Sequence, residues 1–176
     1  MHVKAKKAAV GGLMLALTVV FISLGSVIET NTLFLLAAAS FFVGIIIREF
    51  QMKTGVAFYI AGVLLGLIIA PNKFYVFTYA AMGFYILLRE VVWEKLSRLD
   101  KINNRKIIFI IAKLIIFNIL FALILTFGGE LLIGRKMEGG ILFTVLVAGQ
   151  IIFLIYDVAY EYVQCKIWTK LRGKLL

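Results

Sequence analysis

Little in this chain suits a water-soluble fold. Only 16% of its 176 residues are charged, where a soluble domain carries about a quarter, and a single proline, Pro71, interrupts the whole length. The one cysteine, Cys165, excludes an internal disulfide and a multi-cysteine metal site, and reads as a reduced structural thiol. The one histidine, His2, stands at the N-terminus, so a His/Glu zinc pattern has no second member. A glycine-rich nucleotide loop and a Ser/His/Asp set are missing too. The chain therefore reads as a non-enzyme that needs no cofactor and no metal.

What the chain has is apolar length. Hydrophobic residues make up 63% and mean hydropathy is +1.05, in long unbroken runs that lack the period-two alternation of a barrel strand. The expected fold is all-α, a polytopic integral membrane protein forming a single transmembrane domain with six spans, at about residues 8–28, 33–47, 55–70, 74–93, 107–127 and 140–164. The second and third are short, so they either extend into polar flanks or sit in thinned membrane. A re-entrant hairpin is disfavoured, because Arg48, Glu49 and Lys53 between them form a natural water-side turn. The first run is too long for a signal-peptide core and reads as retained.

Six spans put both ends on one side. With the termini cytoplasmic, 15 of the 19 lysines and arginines fall inside and only Lys73, Arg135 and Lys136 outside, with Lys113 within a span. That bias is the positive-inside pattern of a bacterial cytoplasmic membrane, and it accounts for the net charge of +10 without nucleic acid. The inner loop places Trp93, Leu96, Leu99 and Ile102 at steps of three among charges, an amphipathic turn or helix for the interface. The tail repeats this with Trp168, Leu171 and Leu175 among lysines and an arginine, and reads as an anchor to anionic membrane lipid.

The first span carries small residues at i, i+4 and i+8: Ala8, Gly12 and Ala16. Such a ridge lets a second helix approach to backbone contact where lipid supplies no hydrophobic drive. Its simplest use is packing within the chain; its other use is docking a partner. At depth, Gln150, Asp157, Glu161 and Gln164 follow offsets that keep them on one stripe of the last helix. Lys113 lies about six residues in from the cytoplasmic end of its span and Asp157 about seven or eight. A Lys113 pair with Asp157 or Glu161 is expected, with a proton or cation relay as the functional alternative. Asn118 and Gln150 suit amide bonds between helices. Glu29, Asn31, Asn72, Lys73, Tyr75, Tyr79, Arg135, Lys136 and Thr144 supply polar and aromatic groups toward the outer side, as pocket lining or, for the tyrosines, an interfacial belt.

With six spans, both ends inside, a basic head and this ridge, the chain resembles the substrate-binding (S) components of energy-coupling factor transporters, vitamin-uptake relatives of ATP-binding cassette importers. The glycine-dotted stretch Gly55, Gly62, Gly66 through Pro71-Asn72-Lys73 is similar to the segment that many of these proteins carry before an outer loop. Ala8-xxx-Gly12 and Gly12-xxx-Ala16 stand where family members often show alanine-xxx-alanine. The resemblance implies that Ala8, Gly12 and Ala16 dock on a coupling transmembrane subunit, itself joined to two cytoplasmic ATPases. It also implies that the outer loops hold a small-molecule substrate such as a vitamin, and that the subunit topples in the membrane to release it. Two other readings stand beside it: a small structural or regulatory protein assembling with a larger membrane complex, and a self-contained ion-coupled carrier. Against the carrier, the echo of Ile46-Ile47-Arg48-Glu49 in Leu87-Leu88-Arg89-Glu90 is too short to be an inverted repeat.

Overall fold

The computed structural model describes residues 2–98, 104–133 and 139–175, and over these the chain is all-helical. The elements are α1 (His2–Gly25), a short 3₁₀ turn (Glu29–Asn31), α2 (Thr32–Phe50), α3 (Met52–Ile69), α4 (Lys73–Ser97), α5 (Arg105–Ile133), α6 (Gly139–Tyr162), a π-helical turn (Val163–Trp168) and α7 (Thr169–Leu175). Six stretches are long and apolar enough to cross a bilayer: Lys7–Gly25, Thr32–Phe50, Met52–Ile69, Lys73–Ser97, Arg105–Thr126 and Leu142–Gly173.

Polar flanks explain where the helices differ from the apolar runs. α2 and α3 reach 19 and 18 residues because Arg48 and Glu49 on one side, and Met52 to Thr54 on the other, continue the helices beyond the hydrocarbon-like sequence. At 1.5 Å per residue each extends roughly 28 Å, enough for a span. α1 stops at Gly25, short of Ile28. The Thr32 hydroxyl, from the first residue of α2, donates to the carbonyls of Gly25 (2.9 Å) and Ile28 (3.1 Å), satisfying acceptors that the end of α1 leaves open. The expected amphipathic inner helix is instead the end of α4, which carries Trp93 and Leu96; Leu99 and Ile102 lie outside the described residues.

The chain forms two compact units, one of Met1–Val91 with Tyr162–Leu176, the other of Val92–Glu161. In the first, α1 and α3 both pack on α2, whose Leu36, Ala39, Val43, Ile45 and Ile46 are buried. The close approaches are made by the glycines of α3. A Cβ on Gly62 would lie 2.6 Å from the Tyr79 Oη of α4 and 3.5 Å from Thr18 Cγ2 of α1. On Gly66 it would lie 3.2 Å from Val76 and 3.5 Å from Ile22. Gly62-xxx-Gly66 is therefore the small ridge along which neighbouring helices close on α3. A single residue, Gln51, joins α2 to α3, and it does so at φ 78° and ψ 162°, a region that side chains rarely enter.

The second unit is held by aromatic contacts. Phe117 of α5 stacks on Phe153 of α6 at 4.1 Å between centroids and on Phe121 at 5.3 Å. Phe121 in turn covers Gly149, where a Cβ would come within 2.5 Å of its Cζ. Trp93 meets Phe109 at 5.0 Å.

Candidate functional site

Ala8, Gly12 and Ala16 are all exposed, and a Cβ built on Gly11 or Gly12 meets nothing within 4 Å among the described residues. The buried face of α1 lies elsewhere, along Val10, Met14, Thr18 and Ile22. Among the described residues, packing within its own unit therefore does not account for the small face of α1; α3 supplies the ridge used there.

Toward Lys7 and Gln51, residues of α1 and α3 face each other across the end of α2. The space between them is a crevice of about 600 Å³. Ala8, Gly11, Gly12 and Leu15 line one wall, Ala57, Phe58 and Ala61 the other, with Lys7, Gln51 and Thr54 toward its end and Ile46, Glu49 and Phe50 as its floor.

In the second unit, Lys113 Nζ donates to Asp157 Oδ2 at 2.5 Å, stands 3.7 Å from Glu161 Oε1 and lies 4.9 Å from the centre of the Phe109 ring. Lys113 and Asp157 are each 8% exposed, whereas the Glu161 side chain is 52% exposed. Farther along α5 and α6, Gln150 Nε2 donates to Asn118 Oδ1 at 2.8 Å, and Asn118 Nδ2 donates back to the Leu114 carbonyl. Gln164, the last residue of the expected stripe, falls in the π-helical turn. The π-helical turn takes more residues per turn than an α-helix, and in it Gln164 donates to the Phe41 carbonyl of α2 at 3.3 Å.

The outer-side candidates are found in several roles. Asn72 Oδ1 accepts the Phe74 N–H at 3.0 Å, and Lys73 Nζ donates to the Ala70 carbonyl at 2.8 Å, so both close the turn between α3 and α4. Tyr79 is fully buried, its hydroxyl over Gly62. Tyr75 is half-buried, and Asn31 and Thr144 are exposed. Arg135, Lys136 and the Glu29 side chain lie outside the described residues.

Two charge clusters were not singled out from sequence. Arg48 holds Glu90 through two bonds, Nη2 to Oε1 at 2.7 Å and Nε to Oε2 at 3.2 Å, and Arg89 Nη1 reaches the same Oε1 at 3.2 Å. Arg89 is 1% exposed. Glu49 accepts from the Trp168 indole at 2.9 Å and from Arg172 Nε at 3.1 Å, which ties the tail to α2. Trp168 thus turns into the protein rather than out to a lipid interface, because its N–H has a buried carboxylate to bond. The available signal was the repeated apolar-apolar-Arg-Glu at positions 46–49 and 87–90. No protein-family model, curated protein or solved structure matches the chain.

Proposed function

We propose that the chain is the substrate-capturing membrane subunit of an energy-coupling factor importer for a vitamin or similar small nutrient, docking through α1 on a coupling membrane subunit. The observation that carries this reading is the exposed face of Ala8, Gly12 and Ala16, where a Cβ on Gly12 meets nothing within 4 Å among the described residues. In lipid, helices associate by close packing and not by burial of apolar area, so a face kept small by glycine and alanine suits a partner helix. The distribution of lysine and arginine supports a cytoplasmic place for this end of α1, where ATPases would attach to the coupling subunit. ATP is then consumed by the partners, in keeping with a chain that carries no nucleotide motif.

The positions of Asn72, Lys73 and Tyr79 favour a second reading. These three serve a turn and a helix contact, which suits a small structural or regulatory subunit that assembles with a larger complex by the same α1 face. A self-contained ion-coupled carrier would instead draw on Lys113, Asp157 and Glu161.

Mild-detergent purification of the tagged protein from its host, with co-purifying proteins identified by mass spectrometry, separates these. Two cassette ATPases and a coupling subunit, lost in Gly12→Leu, are the expected result. Recovery of a different complex sinks the importer reading in favour of the second, and ion-dependent flux through the chain alone favours the carrier.

A further inference from the structure

The crevice between α1 and α3 has a polarity gradient along its length. On α1, Lys7 comes first and Ala8, Gly11, Gly12 and Leu15 follow; on the other wall the joining residue Gln51 and Thr54 of α3 come first and Ala57, Phe58 and Ala61 follow. Both walls therefore run from polar to apolar in the same direction, parallel to the helix axes. A wholly polar ligand gains nothing from an apolar far end. A protein helix gains nothing from the lysine unless it brings an acid to that level. A molecule with a charged head and a hydrocarbon chain matches both ends.

The charges at the head end select its sign. Lys7 contributes a cation, and its Nζ lies 5.9 Å from the centre of the Phe50 ring. α3 begins here, with Lys53 in its first turn and no acidic residue there, so its N-terminal N–H groups add positive potential. α1 also begins at this end without an acid in its first turn. The C-terminus of α2 opposes this, and Arg48 in its last turn is already held by Glu90, so Lys7 and the start of α3 set the sign. Glu49 on the floor is already held by Trp168 and Arg172. We propose that this crevice binds an anionic phospholipid of the surrounding membrane, its phosphate at Lys7 and the start of α3 and one acyl chain along the small residues. About 600 Å³ falls within the range of sites that enclose a small ligand, and basic pockets between transmembrane helices are a recurrent way to hold such headgroups. The proposal concerns the chain by itself: lipid along Ala8, Gly11 and Gly12 and a helix docked on the same residues exclude one another, so the two readings are told apart by what occupies the crevice.

Trp168 provides the probe, since its indole is bonded to Glu49 on the crevice floor. In a Trp93→Phe background, the purified protein is placed in phosphatidylcholine nanodiscs containing either brominated phosphatidylglycerol or brominated phosphatidylcholine, and quenching of Trp168 is followed. One lysine near the surface makes the anionic lipid effective at about fivefold lower mole fraction. Lys7→Ala should remove that preference, and Ala57→Phe, at an exposed position on the crevice wall, should reduce quenching by both lipids. Native mass spectrometry after detergent exchange should show a retained anionic lipid on the parent and not on Ala57→Phe. Equal quenching by the two lipids, an Ala57→Phe variant quenched like the parent, or a crevice filled by a second copy or a co-purified helix in place of lipid, each overturns the proposal.

Discussion

Lys113 of α5 and Asp157 of α6 are 44 positions apart in the chain and form an ion pair of 2.5 Å. Both are nearly buried, so losing the Asp157 charge leaves Lys113 only the exposed Glu161 carboxylate, 3.7 Å away. Asp157→Asn is expected to cost about 3 kcal/mol in unfolding by denaturing detergent. The exchanged pair, Lys113→Asp with Asp157→Lys, should recover most of that loss. A double variant no more stable than the single ones would show that the two side chains do not depend on each other.

Glu90 receives both Arg48 and Arg89. Glu90→Gln keeps the shape and removes the charge that compensates a guanidinium 1% exposed at Arg89. The expected loss is about 3 kcal/mol. Arg48→Lys should cost less, since it keeps a cation while giving up the two-bond geometry. Thermal melts in detergent read both, and equal losses would count against the bidentate contact.

Gly62 and Tyr79 form a steric pair. Gly62→Ala places a methyl 2.6 Å from the Tyr79 Oη, at a cost of about 1–3 kcal/mol. Combining it with Tyr79→Phe, which removes the nearest atom, should return about 1 kcal/mol of coupling in a double-mutant cycle. No coupling would place the strain elsewhere.

Gln51 sits at φ 78° with a side chain where glycine fits without strain. Gln51→Gly is expected to stabilise by about 1 kcal/mol, the relief of backbone strain exceeding the added freedom of the unfolded chain. A lower unfolding midpoint would mean that the side chain contributes more than its backbone costs.

Glu49 bonds both Trp168 and Arg172, the latter from a side chain 61% exposed. Glu49→Gln keeps an acceptor for the indole and loses only a solvent-screened ion pair, about 0.5 kcal/mol. Glu49→Ala removes the acceptor and should cost about 1–2 kcal/mol. In a Trp93→Phe background, Trp168 emission should shift to the red in Glu49→Ala alone.

The helices were legible because a run of about 20 apolar residues has few other physical outcomes. Their ends were less so: Arg48, Glu49 and Lys53 look like loop residues, yet a helix can carry them past the hydrocarbon. Equal depth in consecutive antiparallel spans can be counted from residue positions, which is how Lys113 and Asp157 read as neighbours. Partners across non-consecutive elements cannot be counted that way. Arg48 could have paired with the adjacent Glu49, but the structure joins it to Glu90, 42 residues on. The crevice was illegible for the same reason, since its walls come from α1 and α3, which are not consecutive in the chain.

The π-helical turn at Val163–Trp168 has a consequence for the history of the chain. Closing each bond over five residues in place of four accommodates what amounts to one inserted residue. A descendant that lost one codon in this stretch could rewind it as regular α-helix, and everything after it would rotate by about 100°. Trp168 and Arg172 would turn away from Glu49 together, stranding its carboxylate. Deletion here and replacement of the acid at position 49 should therefore travel as a linked pair through any lineage of this protein, with the two changes fixed close together in time.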